Sequence, residues 1–167
     1  MKPQKVILFD LDGTLTYGIS STRFLFRRAD DEAFFAYLER EWLRDRMDHL
    51  TLAKQVTARM KGWKVGDLEK SLHLIPQMKG IAQTIRSLQK RGYYTALATL
   101  GYELSARYFQ NRYGFNEVRG TTLEVKKGII TAMRSIPLEK CPGIFLPFVS
   151  PWNPVTPRVN KIRPFGG

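Results

Sequence analysis

The sequence predicts a parallel α/β sheet that is interrupted, after its first strand, by a block of helices. Three observations indicate this architecture. Residues 5–9 form a short apolar run before a Gly-containing turn, which is typical of a buried strand. Residues 20–74 show helical periodicity. From residue 81 onwards, stretches with helix and strand character alternate, which favours parallel strands joined by crossover helices.

The helical block is expected to contain several helices in succession. Asp30 and Asp31 are suited to begin one of them, because acidic side chains stabilise the first turn of a helix. A second helix is expected over about residues 51–60, and a third begins at 65–67. Between the first two helix starts, apolar residues recur at helical spacing and are interpreted as core: Phe34, Phe35, Leu38, Trp42 and Leu43.

The second half of the chain contains clear helix and strand signals. Gly92 and Gly114 follow two of the apolar patterns and are expected to end helices. The strand between those helices is expected to stop just before Thr99. The pattern predicts a helix, a strand, a helix, a short strand and a hairpin, at about residues 81–91, 93–98, 102–113, 115–119 and 122–131.

The composition changes towards the end of the chain. Seven of the nine prolines lie at or after residue 137, and no acidic residue follows Glu139. Repeated proline prevents helices and central strands, so an irregular, basic, Pro-rich tail is expected; a frameshift or a degenerate gene end is the alternative. The predicted organisation is a core, a helical insertion and a tail, at 1–15 with 77–140, 16–76 and 141–167.

The bulk composition restricts the class of protein. The 167 residues are 43% hydrophobic and have no apolar stretch that could span a bilayer and no signal-peptide pattern, so no membrane partner is expected. A single cysteine, Cys141, fits the reducing cytoplasm. The net charge of +12 suggests anionic partners, either phosphorylated metabolites or nucleic acid, and the scattered basic residues do not distinguish them. The sequence makes no prediction about oligomeric state.

Two carboxylates stand at the end of the first predicted strand. Asp10 and Asp12 are one residue apart and are followed by Gly13 and Thr14. In open α/β sheets, ligands bind at the carboxyl ends of the strands. Two carboxylates at such a point repel each other unless a cation or a shared proton relieves them. The pair therefore predicts a Mg²⁺-dependent or acid/base site.

The segment Asp10-Leu11-Asp12-Gly13-Thr14-Leu15 resembles the first motif of the haloacid dehalogenase-like hydrolase superfamily. The resemblance extends over most of residues 5–140. The helical insertion is similar to the family's cap, and the hairpin at 122–131 is similar to the flap of its phosphoserine phosphatase-like branch. The resemblance implies a Rossmann-like parallel core with an inserted all-helical cap, of which the C-terminal part is incomplete here.

The resemblance also implies a reaction. The protein would be a magnesium-dependent phosphatase that hydrolyses a small phosphorylated metabolite, a phosphate monoester, through an aspartyl-phosphate intermediate. Asp10 would be the nucleophile and Asp12 the general acid and base. Mg²⁺ would be held by the carboxylate of Asp10 and the backbone carbonyl of Asp12. Thr99 and Gly101 would bind the phosphate with Gly13, which also permits the tight turn. Lys140 would neutralise the nucleophile and the phosphoryl group.

Two features of the family pattern are missing from the sequence. No Gly-Asp segment with a further aspartate follows the predicted strands, and residues 17–20 lack the acid that phosphoserine enzymes use to hold the amino group. Arginines 23, 27 and 28 are candidates to reach an anionic substrate, although arginines on such helices are commonly surface residues, and both histidines are interpreted as structural or exposed.

Two other functions stay open at this point. One is a catalytically impaired relative that acts as a binding protein or is a degenerate gene product, which the missing motif favours. The other, less favoured, is a basic nucleic-acid-binding module; no recognised nucleic-acid motif is present in the sequence.

Overall fold

The computed structural model describes residues 5–136, which form one mixed sheet with helices on it and beside it. The strands are β1 Val6–Asp10, β2 Tyr94–Tyr102, β3 Glu117–Lys126 and β4 Ile129–Ser135. The helices are α1 Ser21–Arg28, α2 Glu32–Leu43, α3 His49–Met60, α4 Val65–Leu72, α5 Ile81–Lys90 and α6 Glu103–Tyr113. The α/β architecture that the sequence predicts is confirmed. The expected tail and Lys140 lie outside the described residues.

The sheet has the order β1-β2-β3-β4. The first three strands are parallel, as predicted, and β4 runs antiparallel to β3, which confirms the predicted hairpin and makes the sheet mixed. The reason lies in the connection between the last two strands. Lys127 and Gly128 have φ angles of 51° and 76°, which turn the chain back within two residues. A reversal this tight joins only antiparallel neighbours.

The strand β3 is longer than the sequence indicates. A short strand over 115–119 and a separate hairpin strand were expected, and the structure joins them into one continuous strand. Its first part pairs with β2 and its second part with β4. Gly120 interrupts the apolar pattern in the sequence, but the strand continues through it. A glycine is needed there because the position lies so close to the backbone of Glu103 that a side chain would not fit.

The helices α1 to α4 lie in the chain between β1 and α5, and the two connections to them run side by side. The N–H of Tyr17 donates to the carbonyl of Pro76 and the N–H of Met78 donates to the carbonyl of Leu15, both at 2.9 Å. Thr16 forms an isolated bridge with Gln77 between these two bonds. The chain therefore leaves the sheet and returns to it at one place.

The helical block is also bonded to the β3–β4 hairpin. The N–H groups of Gly62 and Val65 donate to the carbonyls of Ile130 and Gly128, both at 2.9 Å, and the N–H of Ile130 donates to the carbonyl of Trp63 at 3.0 Å. A buried hydrogen bond of 2.8 Å joins the hydroxyls of Thr57 and Tyr102. These contacts hold α3 over the carboxyl end of β2 and leave a cleft between them.

The strand β1 lies at one edge of the sheet formed by the described residues. Val6 is 61% exposed and Leu8 is 46% exposed on this strand. Within residues 5–136 this edge of the sheet is therefore apolar and exposed. No helix in the same range is long and apolar enough to span a membrane.

Candidate active site

A hydrogen-bonded turn holds the two carboxylates at the end of β1. The N–H groups of Leu15 and Thr16 both donate to the carbonyl of Leu11, whose side chain is completely buried. Gly13 has a φ of 81°, which side chains disfavour, and its N–H donates to the hydroxyl of Thr16 at 3.0 Å. The turn is anchored by these bonds, so the carboxylates on either side of Leu11 have defined positions.

Asp12 is oriented by the start of α1. Its Oδ1 accepts a hydrogen bond of 2.7 Å from the backbone N–H of Ser21. Its Oδ2 is directed towards Gly101, where a Cβ atom would stand 3.4 Å from Oδ2 and 3.2 Å from Oγ1 of Thr99. The N–H of Gly101 donates to Oγ1 of Thr99 at 3.0 Å. The structure thus brings Asp12, Thr99 and Gly101 together at one point.

The strand β2 does not stop before Thr99, as the sequence suggested, but continues to Tyr102. Its pairing with β1 ends where Asp10 lies opposite Ala98, and its register with β3 shifts between Ala98 and Tyr102. The shift separates the segment 99–101 from regular pairing while keeping it extended. Residues in such an irregular stretch can turn their backbone and hydroxyl groups towards a ligand.

Burial raises the pKa of both carboxyl groups at this point. For Asp10, hydrogen bonds from the backbone of Leu11 and the side chain of Thr14 offset part of the effect. For Asp12, burial raises the pKa to about 6; the Ser21 N–H opposes this, and the charges of Asp10 and Glu39 add to it. A carboxyl group with a pKa near 6 can both donate and accept a proton at neutral pH.

The raised pKa of Asp12 predicts that Asp12→Asn stabilises the protein in a pH-dependent way. The folded state binds this proton more tightly than the unfolded state, so the stability that Asp12 contributes is present at low pH and is lost as the pH rises from about 4 through 6. Asparagine does not ionise and still accepts from Ser21. We expect the variant to exceed the wild type by about 3 kcal/mol in unfolding free energy at pH 8, and by little near pH 4.

Urea unfolding in EDTA at the two pH values measures this difference. Asp30→Asn is the matched control, because Asp30 is exposed and lies away from the turn. An equal effect of Asp12→Asn at both pH values would contradict the prediction.

A cleft opens beyond these residues, between α2, α3 and the end of β2. It contains about 610 Å³ of empty space, counting the part that is open to solvent. Its apolar lining includes Phe35, Trp42, Leu52, Val56 and Leu100. Its polar lining includes Asp12, Thr22, Glu39, His49, Thr99 and Thr121.

His49 is part of this cleft, although the sequence suggested a structural or exposed residue. Its Nε2 lies 3.2 Å from the carbonyl of Leu100, which can only accept, so Nε2 carries the proton. Its Nδ1 is buried and has no hydrogen-bond partner among the described residues. Burial lowers the pKa of His49, which favours the neutral ring with a free acceptor at Nδ1.

Residues 7–144 match the haloacid dehalogenase-like hydrolase family. The chain belongs to this family. The family resemblance carried by residues 10–15 is therefore confirmed.

Among relatives of this haloacid dehalogenase-like protein is a phosphoserine phosphatase from Methanocaldococcus jannaschii. It is 25% identical over 130 residues, which cover 78% of this chain and 61% of the relative. A solved phospho-aspartyl intermediate analogue of phosphoserine phosphatase aligns with a TM-score of 0.65 at 25% identity, covering 78% of this chain and 62% of that chain. A substrate-bound phosphoserine phosphatase complex aligns with a TM-score of 0.68 at 23% identity, covering 81% and 64%. The chain thus spans less than two thirds of the length of these proteins.

The donor atoms at the turn of this haloacid dehalogenase-like protein fit a magnesium ion that is only partly held by protein. Within residues 5–136, no group of three or more His, Cys, Asp or Glu side chains could hold a metal. The carboxylate of Asp10 and the carbonyl of Asp12 remain as oxygen donors. Mg²⁺ is commonly bound by one or two carboxylates, with water and substrate phosphate completing the coordination. The two residues therefore suit Mg²⁺ bound together with a phosphate ligand.

None of the three candidate arginines for an anionic substrate, at positions 23, 27 and 28, lines the cleft, and Arg28 is exposed. Arg23 and Arg27 both bind Glu32, at 2.8 and 2.7 Å. Lys140 is not among the described residues, so its role stays a prediction. Sequence reasoning missed Glu39 and His49. For Glu39 the only available signal was its helical spacing to Phe35 and Trp42, because i, i+3 and i+4 positions share a helix face. His49 begins a different helix and carried no such signal.

Proposed function

We propose that the protein is a magnesium-dependent phosphatase that hydrolyses small phosphate monoesters through an aspartyl phosphate on Asp10. The single observation that carries this is the carboxylate pair at the end of β1, with Oδ2 of Asp12 directed at the point where Thr99 and Gly101 meet. The family membership and the similarity to phosphoserine phosphatases support the reaction class.

In the first step, a carboxylate oxygen of Asp10 attacks the phosphorus atom, and the bond between phosphorus and the ester oxygen breaks. The leaving oxygen takes a proton from Asp12. Because Oδ1 of Asp12 accepts from Ser21, Oδ2 is the atom that carries this proton. The raised pKa of Asp12 keeps part of the population protonated near neutral pH.

In the second step, the oxygen of a water molecule attacks phosphorus while the ionised Asp12 takes a proton from that water. The bond between phosphorus and the Asp10 oxygen breaks, which releases inorganic phosphate and restores both groups. The same residue serves as acid and then as base, so the site needs no second proton carrier.

Thr99, Gly101 and Gly13 form the phosphate-binding part of this proposal. The hydroxyl of Thr99 accepts from Gly101, so its own hydrogen is available to a phosphate oxygen. Lys140 is assigned to the neutralisation of charge on Asp10 and the phosphoryl group. Bound Mg²⁺, held by Asp10 and the Asp12 carbonyl, would supply Lewis-acid polarisation of the phosphate and relieve the repulsion between anions.

The division of the chain follows from the same proposal. We assign residues 1–15 and 77–140 to the catalytic core, 16–76 to the cap and 141–167 to the tail; of these, 1–4 and 137–167 lie outside the described residues. The paired connections at Thr16 and Gln77 support the first boundary. A cap at this place can limit the access of bulk water to the site. A single cysteine in the sequence supports a cytoplasmic location.

Hydrolysis of p-nitrophenyl phosphate tests the proposed function. We expect release of p-nitrophenol with Mg²⁺, and loss of activity in EDTA that added Mg²⁺ restores. Activity that survives EDTA unchanged would contradict the metal requirement. The role of Asp10 is tested separately below.

A further inference from the structure

The polar lining of the cleft on its helical side includes the carboxylate of Glu39, in α2, and the ring of His49, the first residue of α3. No lysine or arginine among residues 5–136 is part of this lining. A ligand that fills this side therefore meets a carboxylate with no cation beside it in the lining, and is favoured if it carries hydrogen-bond donors or a positive charge.

Glu39 retains the capacity to bind a ligand. Its Oε1 accepts from the hydroxyl of Ser20 at 3.4 Å, and its Oε2 lies 3.5 Å from Nη1 of Arg23. Both distances are near the upper limit for a hydrogen bond. Arg23 is bound much more closely by Glu32, at 2.8 Å. The carboxylate of Glu39 is thus weakly held, partly buried and adjacent to the cleft.

The position of Glu39 relative to Asp12 suits a short ligand. Ser20 donates to Glu39 and the next residue, Ser21, donates to Asp12, so consecutive residues connect the two carboxylates. The two are close enough for the charge of Glu39 to affect Asp12. The space between them is bordered by the apolar side chains of Phe35 and Trp42, which suit a short carbon chain or an alkylated amine.

We propose that this cleft selects the phosphate monoester of an amino alcohol, with Glu39 binding the ammonium group of the substrate. The inference rests on the proposed function in that Asp10 and Asp12 define the phosphate end of the ligand. Phosphorylated amino acids are not expected to be the preferred ligands, because their carboxylate would face Glu39 and Asp12. Arg23, the described cation that contacts Glu39, is already bound by Glu32 and does not line the cleft.

Binding of three phosphate esters tests the inference without depending on turnover. The full-length chain carrying Asp10→Asn is titrated calorimetrically, with Mg²⁺, with 2-aminoethyl phosphate, propyl phosphate and O-phosphoserine. Propyl phosphate has nearly the same shape as 2-aminoethyl phosphate and lacks the charge. We expect 2-aminoethyl phosphate to bind roughly 10 to 100 times more tightly than either of the others. Equal binding of the amine and the propyl ester would overturn the inference.

Three further substitutions in the same background identify the residue responsible. Glu39→Gln is expected to remove the preference for the amine. Glu41→Gln, on the same helix, is the matched control, because Glu41 pairs with Arg46 and does not line the cleft; it should keep the preference. Arg23→Gln releases Glu39 from its weak partner and should keep or increase the preference. If Arg23→Gln loses as much of the preference for the amine as Glu39→Gln does, the role of Glu39 is overturned, because the two residues would then act through their contact with each other.

The outcomes separate this inference from the proposed function. Wild-type protein that hydrolyses p-nitrophenyl phosphate but shows no preference for the amine keeps the phosphatase and rejects the substrate class. Amine-selective binding that depends on Glu39, without hydrolysis of any ester, keeps the ligand class and rejects the phosphatase. Thermal unfolding of each variant shows whether it is folded. If Glu39→Gln is not folded, the comparison of the three esters still decides the inference.

Discussion

Replacing Asp10 with asparagine is expected to lower kcat for p-nitrophenyl phosphate by about a thousandfold or more. An amide oxygen is a poor nucleophile, so the covalent step would be lost, while the shape of the turn would be retained. The loss should appear in kcat and not in folding, because the side chains have the same size. Initial rates with Mg²⁺ measure the effect, and the thermal unfolding midpoint verifies that the variant is folded.

Asp30→Asn provides the control for the same chemical change at an exposed position, and its rate should equal that of the wild type. A second measurement addresses the covalent intermediate. Acid quenching during turnover of a labelled phosphate ester should leave a hydroxylamine-sensitive label on the wild type and none on Asp10→Asn. Substantial turnover by Asp10→Asn would disprove its role as nucleophile. Absence of activity in the wild type as well would favour the impaired binding protein.

The second large effect is expected from Gly120→Ala, which should destabilise the protein by about 3 kcal/mol. A Cβ atom at Gly120 would stand 2.6 Å from the backbone nitrogen of Glu103, 2.8 Å from its Cα and 3.1 Å from the carbonyl oxygen of Gly101. These are backbone atoms, so no side-chain rotation can relieve the overlap. Either β3 or the start of α6 has to shift.

The same shift should affect the candidate site. Gly101 lies against Asp12 and Thr99, so displacement of its carbonyl should also reduce phosphatase activity. Urea unfolding and initial rates measure the two effects. Gly66→Ala is the matched control, because a Cβ there meets nothing within 4 Å and Gly66 is inside α4; it should be neutral or stabilise by up to about 1 kcal/mol. Similar unfolding curves for the two variants would contradict the close approach at Gly120.

The part of this protein that local sequence determines is the series of elements and the motif at the end of β1. The apolar run before Asp10, the helical spacing of Ile81 and Ile85 and the glycine after α6 each act within a few residues, so they are readable without knowledge of the fold. For that reason the helical insertion, the three parallel strands and the carboxylate pair were all predictable. The family resemblance rests on the same local features.

Tertiary structure alone decided which other groups line the cleft beside Asp12. Glu39 and His49 belong to helices whose amphipathic patterns indicate a buried face but not what that face meets. The packing of α2 and α3 over the end of β2 places them beside Asp12. The continuity of β3 through Gly120 likewise depends on how closely α6 approaches, which no local pattern encodes. Periodicity is a property of one segment, whereas a binding site is formed by segments that meet only after the chain has folded.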